Sequence, residues 1–216
     1  TVISIFGILE AGGCFVVVNH TAPPERLGFI LNHCSAKFLI APDQRIEHVH
    51  RATTMCSIQP LLITTGNNVN PGEAARFESA CATESTLEPP KLIDLDLAAI
   101  IYTSGSTGEP KGVSFAHRNI DTAVDSITEY LENNSEDVIL NVLPLSFGYG
   151  LLQLLVTVKS GGRLILEKGF GFPYELAKRM KEEHVTGFAG VPTMYAILTQ
   201  LESLAQEDFS SLRYIT

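Results

Sequence analysis

The sequence predicts an α/β fold in which mainly parallel sheet is flanked by helices. Short apolar runs rich in β-branched residues alternate along the chain with longer amphipathic runs. The runs between successive predicted strands have the length of a helix, as crossover connections between parallel strands require. With 216 residues, 45% of them hydrophobic, the chain also has enough apolar material to build a core.

The first part of the chain opens on an apolar run that could be mistaken for a signal peptide or a membrane span. The run lacks a basic start, carries Glu10 and breaks at Gly12 and Gly13, which predicts a helix end followed by a strand. Pro24 stands where a second helix would begin. The next predicted elements are the strands CFVVV, AKFLIA and PLLITT, with a short helix, QRIEHVHRA, before the last of them.

Between Gly66 and Pro90 the composition turns polar, with Gly, Asn, Glu, Ser and Pro prominent. Such a stretch is typical of a surface excursion and marks the expected internal boundary. We therefore predict one α/β subdomain portion over residues 1–90 and a second over residues 91–216.

The second portion continues the alternation of strands and helices. Ile120, Val124, Ile127 and Leu131 have the spacing of one face of an amphipathic helix. Pro192 stands at the start of the last predicted helix. The predicted strands are LAAIIYT, GVSFAH, DVILNVLPL, RLILE, VTGFAGV and LRYIT, and the other predicted helices are GLLQLLVTVKSGG and PYELAKRMKEEH.

Charge and cysteine content argue against several classes of protein. The net charge of −9 disfavours a nucleic-acid-binding surface, which needs a basic patch. The four cysteines are spread along the first part of the chain without a CxxC pair, which favours reduced thiols over a disulfide framework or a zinc site. With no targeting or integral membrane segment visible, we expect a cytoplasmic location.

The stretch YTSGSTGEPKG, residues 102–112, directly follows the apolar run LAAII. Open parallel sheets place ligand-binding loops at the carboxyl ends of their strands. Glycines let the backbone approach a ligand, while hydroxyls and a lysine supply donors and charge, so phosphate is the natural ligand. A flexible linker is the alternative. The predicted phosphate-binding residues are Thr103, Ser104, Gly105, Ser106, Thr107, Gly108 and Lys111.

The spacing of this loop separates it from two common nucleotide-binding motifs. Lys111 precedes a glycine and is not followed by Ser or Thr, so the loop is not a G-x-x-x-x-G-K-[ST] motif. It is not G-x-G-x-x-G either. A P-loop kinase and a Rossmann dehydrogenase are therefore disfavoured.

YTSGSTGEPKG closely resembles the phosphate-binding signature of the adenylate-forming (AMP-binding) superfamily. This superfamily comprises acyl-CoA synthetases, fatty-acyl-AMP ligases, luciferases and the adenylation domains of peptide synthetases. Four further stretches resemble family segments in the family's order: GILEAGGCFVVVNHTAPPERLGFILNHCSAKFLI, GVSFAHRNI, LPLSFGYG and GVPTMYAIL. The resemblance covers essentially the whole chain and implies a part of the large, acyl-CoA synthetase-like N-terminal domain.

The resemblance implies that a substrate carboxylate attacks the α-phosphate of Mg-ATP, giving an acyl adenylate and pyrophosphate. A thiol of CoA or of a carrier protein then takes the acyl group. The predicted loop would hold the β- and γ-phosphates and stabilise the departing pyrophosphate. The adenine and ribose contacts, the magnesium ligand and the catalytic lysine of the family are expected downstream. We therefore predict no catalytic residue or metal ligand here, and a fragment that is inactive without its parent enzyme.

The segment LSFGYG bears on the identity of the acid. Family members that activate amino acids usually carry Asp directly after the Phe, whereas this chain has Gly148 after Phe147. Without that carboxylate, the α-ammonium of an amino acid would be buried unpaired at high cost. The form GVPTMY is common among acyl-CoA synthetases. We predict an acyl pocket of Phe147, Gly148, Tyr149 and Met194 and a fatty or other hydrophobic acid. The alternative is that Phe147, Tyr149 and Met194 are ordinary core residues.

The sequence is also compatible with other functions. One alternative is a peptide-synthetase-type amino-acid adenylation domain, and another is a nucleotide-binding or interaction module without catalysis. The expected partners are a small carboxylic acid and ATP, with no nucleic acid. His117 resembles the histidine of the family's SHRN segment, and we expect it to start the following helix and not to act in catalysis.

Overall fold

The computed structural model describes residues 1–66, 74–84, 88, 90–103, 110–201 and 207–216. It confirms the predicted α/β class, with parallel sheets flanked by helices. The chain divides into two compact units, Thr1–Ser114 and Phe115–Thr216. The proposed subdomain portions of a larger domain, 1–90 and 91–216, stay a prediction.

The first unit contains a parallel sheet of three strands in the order β1-β2-β3 and a separate pair of strands, β4 and β5. The strands are β1 (Phe38–Pro42), β2 (Leu61–Thr65), β3 (Ala75–Arg76), β4 (Leu97–Thr103) and β5 (Lys111–Ala116), which ends in the second unit. The helices are α1 (Val2–Glu10), α2 (Pro24–His33), α3 (Ile46–Thr53), which follows a 3-10 turn at Asp43–Arg45, and α4 (Phe77–Ala82).

Apolar side chains of α2, α3 and β1 pack together in one buried cluster. Burial of this kind supplies most of the stability of such short helices. The buried members of the cluster are Leu27, Leu31, Ala41, Val49 and Ala52.

The run CFVVV does not form the predicted strand. Phe15 alone makes a parallel bridge, in which its N–H donates to Ala98 O at 3.0 Å and its carbonyl accepts from Ile100 N at 3.0 Å. Phe15 is 3% exposed. β-branched residues favour a packed, half-buried surface, but they do not by themselves make the run pair with a neighbouring strand. The strand prediction was therefore wrong here.

Gly66 ends β2 in a backbone conformation that side chains rarely adopt. Its φ is +107°, and a Cβ atom would overlap the carboxylate of Asp43, which is 4% exposed. The glycine therefore lets the chain leave β2 close to the residue that follows β1.

We expect Gly66→Ala to lower the free energy of unfolding by about 2–4 kcal/mol, because it combines backbone strain with a clash against a buried carboxylate. Chemical denaturation of the full-length protein measures the change. Gly7→Ala is the matched control, since Gly7 lies inside α1 with no atom within 4 Å of the added methyl group. That control should be neutral or stabilising by about 0.5–1 kcal/mol, and equal losses in both variants would contradict the argument.

The second unit contains a parallel sheet of four strands in the order β7-β6-β8-β9. The elements are α5 (His117–Tyr130), β6 (Val138–Asn141), α6 (Gly148–Ser160), β7 (Arg163–Leu166), α7 (Pro173–Glu182), β8 (Gly187–Ala189), α8 (Pro192–Thr199) and β9 (Tyr214–Ile215). His117 is the first residue of α5, as predicted. The core of this unit includes Leu140, Ile165, Leu176, Met180 and Phe188.

A buried carboxylate forms hydrogen bonds that join the amino ends of three of these strands. Asp137, Thr186 and Arg213 directly precede β6, β8 and β9. Asp137 is 2% exposed, and both of its carboxylate oxygens accept from Arg213 Nη2 at 2.8 Å. Thr186 Oγ1 donates to it at 2.7 Å, Asn133 Nδ2 at 3.1 Å and the backbone N–H of Asn134 at 3.0 Å. We refer to these groups as the Asp137 network.

The pKa of Asp137 reflects the balance within this network. Burial by itself raises the pKa, but the hydrogen bonds from Thr186, Asn133, Asn134 and Arg213 outweigh burial and hold the pKa below its ordinary value. The carboxylate is thus charged at neutral pH.

Within the described ranges, none of the helices combines the length and the apolar character needed to cross a membrane.

Candidate functional site

Two paired strands carry the described ends of the predicted phosphate loop, residues 103–111. Thr103 is the last residue of β4 and Lys111 is the first residue of β5, and both side chains are exposed. Thr103 Oγ1 donates a long hydrogen bond, 3.5 Å, to the backbone oxygen of Lys111. The structure therefore brings these two predicted residues together.

The remaining predicted phosphate-binding residues, Ser104, Gly105, Ser106, Thr107 and Gly108, lie outside the described residues. Their assignment stays a prediction.

Tyr102 contacts residues at both ends of the predicted phosphate loop. Its backbone directly precedes Thr103, while its ring lies against Gly112, where an added Cβ would be 3.2 Å from Tyr102 Cζ and 2.9 Å from Ile100 Cγ2. A residue with a side chain at position 112 would have to displace one of these groups. Tyr102 belongs to the predicted motif, but the sequence alone assigns it no role.

The predicted acyl-pocket residues lie at the starts of two helices of the second unit. Phe147 caps α6 and is 59% exposed, and Gly148 and Tyr149 are the first two residues of that helix. Met194 is in the first turn of α8. Tyr149 and Met194 both pack against the buried cluster of this unit, so the structure brings these two side chains to a common core.

Asn141, at the end of β6, fixes the start of α6. Its side chain is fully buried, donates to Gly150 O at 3.1 Å and accepts from Leu143 N at 2.9 Å. A Cβ at Gly150 would lie 2.5 Å from Pro144 O, so only glycine fits there. The two glycines of LSFGYG thus have different structural roles. Gly150 is required because no side chain fits there, whereas Gly148 is the first residue of the helix.

Tyr195 and Thr216 belong to the same region but were not assigned a role from the sequence. The Tyr149 hydroxyl donates to Thr216 Oγ1 at 2.7 Å, and the Tyr195 hydroxyl donates to Thr216 O at 2.7 Å. Burial, followed by the nearby Tyr149 hydroxyl, raises the pKa of Tyr195 to about 12, so it remains a donor. The sequence feature that could have indicated Tyr195 is its position beside Met194. A half-buried tyrosine needs a hydrogen-bond partner for its hydroxyl.

No group of three His, Cys, Asp or Glu side chains that could hold a metal ion occurs in the part of the chain that the structure describes. The four cysteines are free thiols, and burial raises the pKa of Cys14, Cys34 and Cys56. These partly buried thiols are therefore poor nucleophiles near neutral pH.

Comparison with known proteins finds relatives along the entire chain. A family model described as "AMP-binding enzyme" matches residues 1–216. Gramicidin S synthase 2 of Brevibacillus brevis is 30% identical over 218 residues, which cover 100% of this chain and 4% of that protein. A long-chain-fatty-acid–CoA ligase of Bacillus subtilis is 28% identical over 241 residues, which cover 99% of this chain and 43% of the ligase.

A solved structure with the same fold is that of ATP-bound MatB from Rhodopseudomonas palustris. It matches with a TM-score of 0.84 and 24% identity, over 99% of this chain and 41% of MatB. The chain thus spans less than half the length of each of these three proteins.

Proposed function

The chain belongs to the family of AMP-binding enzymes, and we propose on that basis that its parent protein activates a carboxylic acid with ATP. A carboxylate oxygen attacks the α-phosphorus, and the bond from that phosphorus to the oxygen bridging the β-phosphate breaks. Acyl-AMP forms, and the bond's electron pair leaves with pyrophosphate. The acyl group then passes to a thiol, that of CoA or of a carrier protein. The thiol gives up its proton, its sulfur bonds to the acyl carbon, and the bond from that carbon to the AMP oxygen breaks, so that AMP leaves.

The described ends of the phosphate loop suit this reaction. Thr103 offers a hydroxyl and Lys111 an ammonium group, both exposed at the ends of paired strands. Groups of this kind stabilise the negative charge that moves onto pyrophosphate as it departs. A magnesium ion would neutralise part of the phosphate charge, and we propose that its ligands lie in the parent outside this chain.

We propose a hydrophobic, fatty acid as the preferred substrate. The observation that carries this proposal is Gly148, which places no side chain at the first position of α6 between Phe147 and Tyr149. Neither PLSFGYGLL nor VPTMYAIL contains an acidic residue. These segments therefore offer no carboxylate to pair with an α-ammonium group.

The second candidate is an amino-acid-activating domain of a peptide synthetase. It is supported by the 30% identity to gramicidin S synthase 2. Pyrophosphate release by the full-length protein, measured across a panel of fatty, aromatic and amino acids, distinguishes the two. Release that does not depend on any carboxylic acid would contradict both.

We expect Lys111→Ala to slow adenylate formation by the full-length protein with little change in the affinity for the acid. Loss of a charged contact to the departing group costs about 2–4 kcal/mol in the transition state, which is roughly 30- to 900-fold in rate. Single-turnover formation of acyl-AMP measures the rate, and Lys91→Ala, which removes another exposed lysine of the same unit, is the control. Weaker acid binding at an unchanged adenylation rate would reverse the assignment.

A further inference from the structure

A histidine from a distant part of the first unit contacts the residue that begins the phosphate-loop motif. His33 is the last residue of α2, and its Nδ1 atom lies 2.7 Å from the Tyr102 hydroxyl. The His33 ring stacks on Phe29 with centroids 5.5 Å apart and meets the Tyr102 ring edge-on at 5.6 Å. The Tyr102 ring is thus held by a hydrogen bond and by an aromatic contact.

The position of Tyr102 makes this contact relevant to the loop. Its backbone continues directly into Thr103, and its ring covers Gly112, the residue after Lys111. A shift of the Tyr102 ring would therefore displace the backbone at both described ends of the loop. No local sequence pattern points to His33, because the two partners are 69 residues apart.

The helix that carries His33, an exposed residue, is itself packed into the core. Helix α2 is anchored by Leu27 and Leu31, which are 7% and 6% exposed in the core of this unit. Burial, followed by the Cys34 thiol, raises the pKa of Tyr102 to about 12. The hydroxyl therefore stays protonated at neutral pH and keeps its proton available for the hydrogen bond with His33 Nδ1.

We propose that His33 and Tyr102 are positioning residues for the phosphate loop. The pair links α2 to both ends of the loop and restrains the backbone that presents the Thr103 and Lys111 side chains to the β- and γ-phosphates. The proposal rests on the proposed function, since it assumes that the loop binds these phosphates. Neither residue is assigned a contact with ATP.

The test compares binding of a non-hydrolysable ATP analogue and of AMP to the full-length protein by calorimetry. Tyr102→Phe keeps the ring and removes the hydroxyl, and His33→Ala removes the partner. Loss of one net hydrogen bond should weaken binding of the ATP analogue by about 3- to 10-fold. AMP lacks the β- and γ-phosphates, so its affinity should change by less than about twofold. His20→Gln, at an exposed histidine in a turn, is the control.

The outcomes separate this proposal from the proposed function. Unchanged affinity of Tyr102→Phe for the ATP analogue overturns the positioning role, as does an equal loss for AMP, which would show a general structural effect. If His33→Ala does not fold, Tyr102→Phe decides. Failure of the unmodified protein to bind the ATP analogue, or to release pyrophosphate with any acid, would instead remove the proposed function.

Discussion

The full-length protein is expected to adenylate a fatty acid more than a hundredfold faster than the 2-amino acid of the same chain length. The segment around Phe147, Gly148 and Tyr149 has no carboxylate to pair with the ammonium group of the amino acid. Burying that ammonium unpaired costs several kcal/mol, and even a partial penalty of about 3 kcal/mol exceeds a hundredfold in rate. Pyrophosphate exchange with the two acids in competition measures the ratio.

The variant Gly148→Asp should narrow this gap, because it places a carboxylate at the first position of α6, where the helix also favours negative charge. Gly148→Asn is the matched control, since it adds nearly the same volume without the charge and should not improve use of the amino acid. If the unmodified protein prefers the amino acid, the fatty-acid proposal is wrong and the peptide-synthetase alternative takes its place.

The second large effect is expected in the Asp137 network. Asp137→Ala should lower the free energy of unfolding by about 3–5 kcal/mol, because it removes a buried, paired carboxylate and leaves several of its donors without an acceptor. Denaturation of the full-length protein, with hydrogen exchange of amides in β6, β8 and β9, measures the loss and its location. Asp125→Ala is the control: Asp125 pairs with Lys159, but its side chain is 60% exposed, so the change should be within about 1 kcal/mol.

The contribution of Asp137 should also depend on pH in a defined direction. Its pKa in the folded protein lies below the ordinary value of about 3.9, so the folded state binds the proton less readily than the unfolded state. The stabilisation is then fully present above about pH 4 and is lost as the pH falls through the folded pKa. The difference between the unmodified protein and Asp137→Ala should shrink over that acidic range, and a difference that grows there would contradict this assignment.

Much of the fold could be predicted because its helices and strands follow from local sequence patterns. The helical spacing of Ile120, Val124 and Ile127 corresponds to α5, and Pro24 and Pro192 stand at the first positions of α2 and α8. Helix boundaries were less accurate. Helix α6 begins at Gly148, inside the segment predicted to line the acyl pocket and two residues before the predicted helix start. The side chain of Asn141, at the end of β6, donates to the carbonyl of Gly150 in this first turn.

The candidate site stays a prediction from residue type, and the contacts that hold its described ends in place could not be predicted. A run of Ser, Thr and Gly after a strand indicates the phosphate loop, since the chemistry depends on neighbouring residues in the chain. The contacts of His33 with Tyr102 and of Tyr149 with Thr216 join residues 69 and 67 positions apart. Such pairs depend on packing across the fold, and no local pattern encodes them.

The order of the second sheet has a consequence for how the chain folds. Strand β6 lies between β7 and β8, and both pairings are parallel, so neither can start from a tight turn. During synthesis β6 and β7 leave the ribosome before β8, and the side of β6 that later receives β8 is left with unpaired backbone groups. An open strand edge beside an apolar residue such as Leu140 is a template for association between nascent chains. We expect this intermediate, and not the finished sheet, to be the species most in need of a chaperone.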